Sequence, residues 1–262
     1  MKKLIDIHND ILSNLDNVPR SETEMIAIAM AATKEGIKKI IATPYYKNGE
    51  NPNTGQDIVS VVNHFNGLLK QEQIPVEILS GQVTTIYEGI ISDIQAGKIV
   101  TLNQTGMYIL IDLPATHIPK YMTQLLFDIQ IAGYKPIIVH PEKSLVFQKH
   151  PDVLYQLVKN GALTQVAASS LLGKDGKKVE RFAFRFIEAN LVHFVASEAH
   201  HAKKHRLFMS NAYTKIERRY GDSKVCQFKE NSKAVVLGNS IYVDEPARMV
   251  KRRRQGLFVR LA

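Results

Sequence analysis

The 262-residue chain has a single cysteine, Cys226. That excludes an internal disulfide and fits a reducing, cytoplasmic setting. It also excludes a structural zinc site built from thiolates. No run of about eighteen or more apolar residues occurs, so a transmembrane helix is not expected. The first apolar stretch, after Lys2 and Lys3, breaks at Asp6 and does not read as a signal peptide. Neither Gly-x-Gly-x-x-Gly nor Gly-x-x-x-x-Gly-Lys-Ser/Thr is present, which removes the usual dinucleotide and P-loop fingerprints. Acidic residues are in deficit, 25 against 34 Lys and Arg, for a formal charge of +9. Part of that excess is one run, Lys251-Arg252-Arg253-Arg254. Such a run can meet nucleic acid, anionic lipid or an acidic partner. No aromatic residues are interleaved with it as in a single-strand binder, so nucleic acid is not the expected partner.

The hydrophobic fraction of 45% is that of an ordinary globular protein with a sizeable core. Strand candidates are 3–7, 38–43, 76–80, 107–112, 135–139, 164–168 and 193–197. Several are near-continuous apolar runs, the pattern of strands buried on both faces of a parallel sheet. Helical patterns fall at 21–35, 56–72, 118–132, 151–160, 177–190 and 203–220, with a shorter one at 228–237. Ser21 followed by Glu24 is a capping-box pattern, and Pro151 and Gly161 bracket another helix. This alternation predicts one closed or nearly closed α/β barrel, with a doubly wound open sheet as the alternative. The expected division is a single barrel domain over 1–246 and a basic tail over 247–262.

In such a barrel the reactive groups gather at the C-terminal strand ends. Those ends carry His8 and Asp10, then Asp112, then His140, then Glu198 and His200. This mixed nitrogen and oxygen set suits Mn²⁺, Fe²⁺ or Zn²⁺ better than the all-oxygen shells of Ca²⁺ or Mg²⁺. Clustered metals in a basic pocket imply phosphate-ester hydrolysis, with a metal lowering the pKa of water and holding phosphoryl oxygens. Lys143, His205 and Arg206 are the candidate phosphate contacts and hence the candidate catalytic cations.

The segments IDIH, ATPYY, GQV, ILIDLP, IIVHPEK, GALTQVAAS and LVHFVASEAH occur in that order. Together they resemble the PHP-type, manganese-dependent protein-tyrosine phosphatases of Gram-positive capsule and exopolysaccharide loci, over essentially the whole chain. The resemblance implies a distorted TIM-like (β/α)7 barrel with a three-metal site. It implies removal of phosphate from the tyrosine-rich tail of a cognate bacterial tyrosine kinase, near the membrane through the kinase complex, with a homo-oligomer as an option. The ligand histidines are kept as His8, His140 and His200. Carboxylates stand at Asp10, Asp112 and Glu198, where the family carries other ligands. Three further ligand positions are Asn17, Tyr45 and Val83. A valine coordinates nothing, and Val83 replaces a carboxylate that bridges two metals. Fewer than three ions are therefore expected, Mn first, with Fe, Zn or Mg as alternatives. Lys143 takes the place of an arginine, and the phosphate-binding arginine falls at His205 or Arg206. The alternative to a working phosphatase is a catalytically impaired relative that binds the kinase or its tail without efficient turnover.

Overall fold

A computed structural model describes residues 3–12, 21–46, 54–199 and 207–249. Strand β1 (Leu4–Asn9) leads to helix α1 (Glu22–Lys34), β2 (Ile37–Ala42) and a short β3 (Tyr45–Tyr46). Then come α2 (Gly55–Gln71), β4 (Glu77–Ser80), β5 (Val83–Thr85), α3 (Ile90–Gln95) and β6 (Tyr108–Asp112). The chain continues through α4 (Met122–Ile131), β7 (Lys135–Val139), α5 (Leu145–Lys149), α6 (Pro151–Lys159) and β8 (Leu163–Ala167). It ends with α7 (Ala168–Leu171), α8 (Lys177–Glu188), β9 (Phe194–Ala196), α9 (Met209–Tyr220) and α10 (Asp222–Leu237).

Every strand pair is parallel, in two ladders ordered β1-β2-β4 and β3-β5-β6-β7-β8-β9. Strand β3 resumes the path of β2 after Thr43-Pro44, and β5 resumes that of β4 after Gly81-Gln82. Proline cannot donate to a ladder, so the break after β2 follows from the sequence. The Glu198 amide donates to the His8 carbonyl (3.1 Å), which brings the last strand back to the first. The strands therefore form a nearly closed barrel, and the open doubly wound sheet is set aside.

All the strands expected from apolar runs are present. The short β3 and β5 were not foreseen, nor were α3, α5 and α7, each too brief to show a period. The capping box at Ser21 forms with both of its hydrogen bonds. The final helix starts at Asp222 rather than 228, because Gly221, at φ 84°, breaks the chain between α9 and α10. Helix α4 starts at Met122 rather than 118, since Pro119 lies in the preceding turn. The helix expected from 203 is described only from Met209.

Apolar side chains form two cores. Inside the barrel lie Ile7, Ile41, Val83, Leu110, Ile137, Leu163 and Phe194. Outside it, helices pack their apolar faces on the strands through residues such as Ile28, Phe65, Leu126, Leu154 and Phe186. Val235 and Val236 of α10 join the inner core, and the Tyr108 hydroxyl donates to the Asn239 carbonyl (2.6 Å). Tyr108 opens β6, so α10 and the segment after it close the N-terminal end of the barrel. The opposite end is left for chemistry. Beyond α10 the chain returns along α8, where the Ala247 amide donates to Ala189, and Arg248 pairs with Asp152.

His193, just before β9, is buried beneath this framework. Its Nδ1 accepts from the Thr164 amide (3.0 Å), and its carbonyl accepts from Asn231. Burial, helped by the charge of Lys224, lowers the imidazole to about 4. The folded protein thus holds His193 neutral, while the unfolded chain takes a proton below about 6.5. Stability should fall by about 2–3 kcal/mol as pH drops from about 6.5 to about 4. In His193→Asn, which keeps an acceptor for Thr164, urea unfolding should lose that part of the pH dependence.

Candidate metal and phosphate site

The strand ends meet around Glu198. Its backbone lies in the left-handed region, φ 48°, as does that of His140, φ 35°. Residues other than glycine hold this conformation at a cost of about 1 kcal/mol or more, and such strain gathers at functional sites. At Glu198 the amide to His8 holds it. At His140 the amide donates to the Gln165 carbonyl (2.7 Å), and the carbonyl accepts from Lys143 (3.0 Å). Pro141 follows at once and opens a tight helical turn, Pro141–Lys143. That turn aims the Lys143 side chain back across the barrel mouth.

The Lys143 ammonium donates to Glu198 Oε2 (2.6 Å) and lies 3.9 Å from Asp175. Gln165 Nε2 donates to Glu198 Oε1 (3.0 Å), while His8 Nδ1 lies 2.9 Å from Gln165 Oε1. The amide NH₂ must face the carboxylate, so the amide oxygen faces His8 and accepts from its Nδ1. The His8 lone pair is then on Nε2, the tautomer that suits a metal ligand. Burial alone would raise the Glu198 carboxyl. Its neighbours His140, Lys143 and His8 outweigh that cost and hold Glu198 well below the usual carboxylate range. Burial would likewise lower the Lys143 ammonium, but Glu198, Glu142 and Asp175 raise it, so it stays charged. Glu142, fully buried beside them, is pushed the other way by desolvation and by the Glu198 charge.

Asp112 closes the other side of the mouth. Its Oδ2 accepts from the Tyr45 hydroxyl (2.7 Å), and its Oδ1 lies 3.6 Å from His140 Nε2. Burial and that carboxylate push the Tyr45 phenol up, so Tyr45 acts as a fixed donor. Val83, paired with Tyr45 and Leu110 across the ladders, is sealed in the inner core. Gln82 beside it accepts from the Val100 amide (2.7 Å), away from the mouth. Asp10 stands one residue beyond β1, half-buried. Asn17, His200, His205 and Arg206 lie outside the described residues.

The structure thus joins His8, His140, Lys143 and Glu198 in one electrostatic group, with Asp112 at its edge. Lys143, expected as a phosphate contact, pairs here with Glu198, expected as a metal ligand. Gln165, which orients both His8 and Glu198, was not singled out from the sequence. Its signal was a polar residue inside the buried run Leu163–Ala167. Asp6 was also missed: it is buried and accepts from the Ser197 amide (3.0 Å), the Ser197 hydroxyl (2.5 Å) and Asn9 (2.9 Å).

The His8 and His140 imidazoles and the Glu198 carboxylate are donor types that suit a divalent cation, while both Glu198 oxygens here accept from Lys143 and Gln165. Among the described residues, Val83 offers no donor and the Tyr45 hydroxyl is committed to Asp112. Among the described residues no three His, Cys, Asp or Glu side chains already converge as a metal-binding group. A parallel barrel with imidazoles, carboxylates and a lysine at its C-terminal rim is the architecture of a metal hydrolase.

Residues 4–237 match the family described as capsular polysaccharide synthesis, CpsB/CapC, and the chain belongs to that family. It is 36% identical over 255 residues to the tyrosine-protein phosphatase YwqE of Bacillus subtilis, covering 97% of this chain and all of that protein. It is 26% identical over 250 residues to the tyrosine-protein phosphatase CpsB of Streptococcus agalactiae, covering 91% of this chain and all of the other. A crystal structure from work on YwqE of Bacillus subtilis and CpsB of Streptococcus pneumoniae, metal-dependent tyrosine phosphatases, superposes with a TM-score of 0.90. That match covers 95% of this chain and 100% of the other, at 36% identity.

Removing the ammonium tests the charge balance of the site. Lys143→Met leaves Glu198 buried beside only two imidazoles and should cost about 1–3 kcal/mol. Added Mn²⁺ should then raise the unfolding temperature of the variant more than that of the unaltered protein, as read by thermal denaturation in metal-free and Mn²⁺ buffers.

Proposed function

We propose that this chain is a metal-dependent protein-tyrosine phosphatase of capsule or exopolysaccharide synthesis, acting on the phosphotyrosine tail of a bacterial tyrosine kinase. One observation carries the reading. His8, Asp112, His140, Lys143 and Glu198 meet at the C-terminal rim of a barrel that is 36% identical to a tyrosine phosphatase over 97% of its length. Manganese is the proposed metal, at fewer than three ions per chain. The remaining parts of the proposal are one barrel domain over 1–246, a basic tail over 247–262 and a cytoplasmic location beside the kinase. No helix among the described residues is long and apolar enough to cross a membrane.

A divalent cation bound there would supply Lewis acidity, lowering the pKa of water and neutralising phosphoryl charge. His8, fixed by Gln165, and Glu198, fixed by its contact to β1, would hold that ion together with His140. Lys143 has three donors and gives one to Glu198, which leaves donors for the phosphoryl oxygens. As an ammonium it acts as a point charge, where an arginine would grip two oxygens at once. Tyr45 keeps Asp112 oriented beside His140.

A second reading has its own support, in Val83 and the Lys143–Glu198 pair. In it the rim binds phosphotyrosine and turns over poorly. Elemental analysis of the purified chain, beside hydrolysis of a phosphotyrosine peptide, separates the two. The expected result is fewer than three metal ions and turnover slower than that of YwqE. Tyr45→His combined with Val83→Glu should raise metal content and rate, the rate by about tenfold or more. Three ions with fast turnover in the unaltered chain would sink the reduced-site reading, and binding with no turnover would favour the second reading.

A further inference from the structure

Helix α8 carries a cationic face on the flank of the barrel. Lys177, Arg181 and Arg185 stand four residues apart, so they share one side of the helix. Ala183, Phe186 and Ile187 are buried beneath them. This face lines a groove of about 1070 Å³, together with Arg219 of α9 and with Arg248 and Met249 of the segment that returns along α8. Two carboxylates also line it, Glu180 and Glu188, and both already have partners. Glu180 pairs with Lys177 (3.2 Å) and Lys215 (2.5 Å), and Glu188 pairs with Arg219 (2.5 Å). Arg248 pairs with Asp152 (2.9 Å). Arg181 is exposed and meets no carboxylate among the described residues. Aromatic rings hold the cations in place: Arg181 and Arg185 lie over Phe182 (5.7 and 5.6 Å), and Arg219 over Phe184 (4.5 Å). Lys178 and Arg218, both exposed, add positive charge to α8 and α9, while Glu217 of α9 is half-buried. The flank thus keeps an excess of positive charge after its own ion pairs are made.

The sequence continues the pattern. Lys251-Arg252-Arg253-Arg254 follows Met249 closely, and Leu257-Phe258-Val259-Arg260-Leu261 comes next. We propose that this flank docks the chain on an anionic lipid bilayer, with the groove cations and the basic run on headgroup phosphates and the apolar residues after the run at the acyl boundary. Charge decides against two other occupants. The basic run itself and the same face of a second copy are both positive, so the groove repels them. A bilayer offers phosphate and an apolar layer side by side, which matches cations followed by Leu257, Phe258 and Val259. Duplex nucleic acid offers phosphate without that layer. Docking on this flank is compatible with access to the rim. Asp175, two residues before α8, lies 3.9 Å from Lys143, so the helix starts beside the rim. It then runs back along the barrel, from the end of β8 towards the start of β9, and contact along it leaves the mouth open.

Co-sedimentation of the full chain with lipid vesicles reads this docking whether or not the rim turns over. Phosphatidylcholine vesicles that contain phosphatidylglycerol should bind the chain at low salt, and pure phosphatidylcholine should not. Added salt should weaken the binding. Each surface charge is worth about fivefold in affinity, so Arg181→Gln combined with Arg248→Gln should weaken binding by about tenfold or more. Neither residue belongs to the rim, so the unfolding temperature and any hydrolysis of phosphotyrosine peptides should match those of the unaltered chain. Leu257→Ser combined with Phe258→Ser should remove the binding that survives at high salt. Failure to bind anionic vesicles would overturn the proposal, as would equal binding to both vesicle types. Undiminished binding by the Gln variant would overturn it too. Tighter binding to polyglutamate or duplex DNA than to the anionic vesicles, at the same salt, would overturn it in favour of a soluble polyanion.

Discussion

The return of β9 to β1 is the constraint on which the site depends. Asp6, buried in β1, takes three hydrogen bonds from Ser197 and Asn9. Beside it the Glu198 amide meets the His8 carbonyl. Burying a carboxylate is costly unless donors surround it, and these donors come from both ends of the chain. The closure therefore does more than seal an edge. It sets His8 and Glu198, 190 residues apart by their numbers, on adjoining strands at one rim. Closure is what lets Gln165 of β8 reach His8 of β1 and bridge it to Glu198.

Charge balance is the second theme. Glu198 is nearly inaccessible, yet it stays ionised because Lys143, His8 and His140 surround it. A tethered ammonium thus gives this carboxylate the positive partner that a metal ion would give. The same ammonium lines a cavity beside Asp112. Lys143 therefore links the interior of the site to its entrance.

Tyr45 and Val83, two of the positions where the family resemblance expects metal ligands, have other partners. Tyr45 gives its hydroxyl to Asp112, and Val83 is absorbed into the inner core next to Leu110. Each has a stabilising role that a bare ligand would lack without its metal. Packing and hydrogen bonding hold these two strand ends.

The sequence alone determined the barrel and the list of candidate groups. Buried parallel strands must be near-continuous apolar runs, and reactive residues must follow them, so both can be read along the chain. His8, Asp112, His140, Lys143 and Glu198 were legible for that reason. Gln165 and Asp6 were less so, because one polar residue in an apolar run does not announce its partner. Only the tertiary structure decided that Lys143 faces Glu198, that Gln165 fixes the His8 tautomer and that Tyr45 holds Asp112. These are contacts between different strands, and their distances follow from closure and register rather than from spacing along the chain.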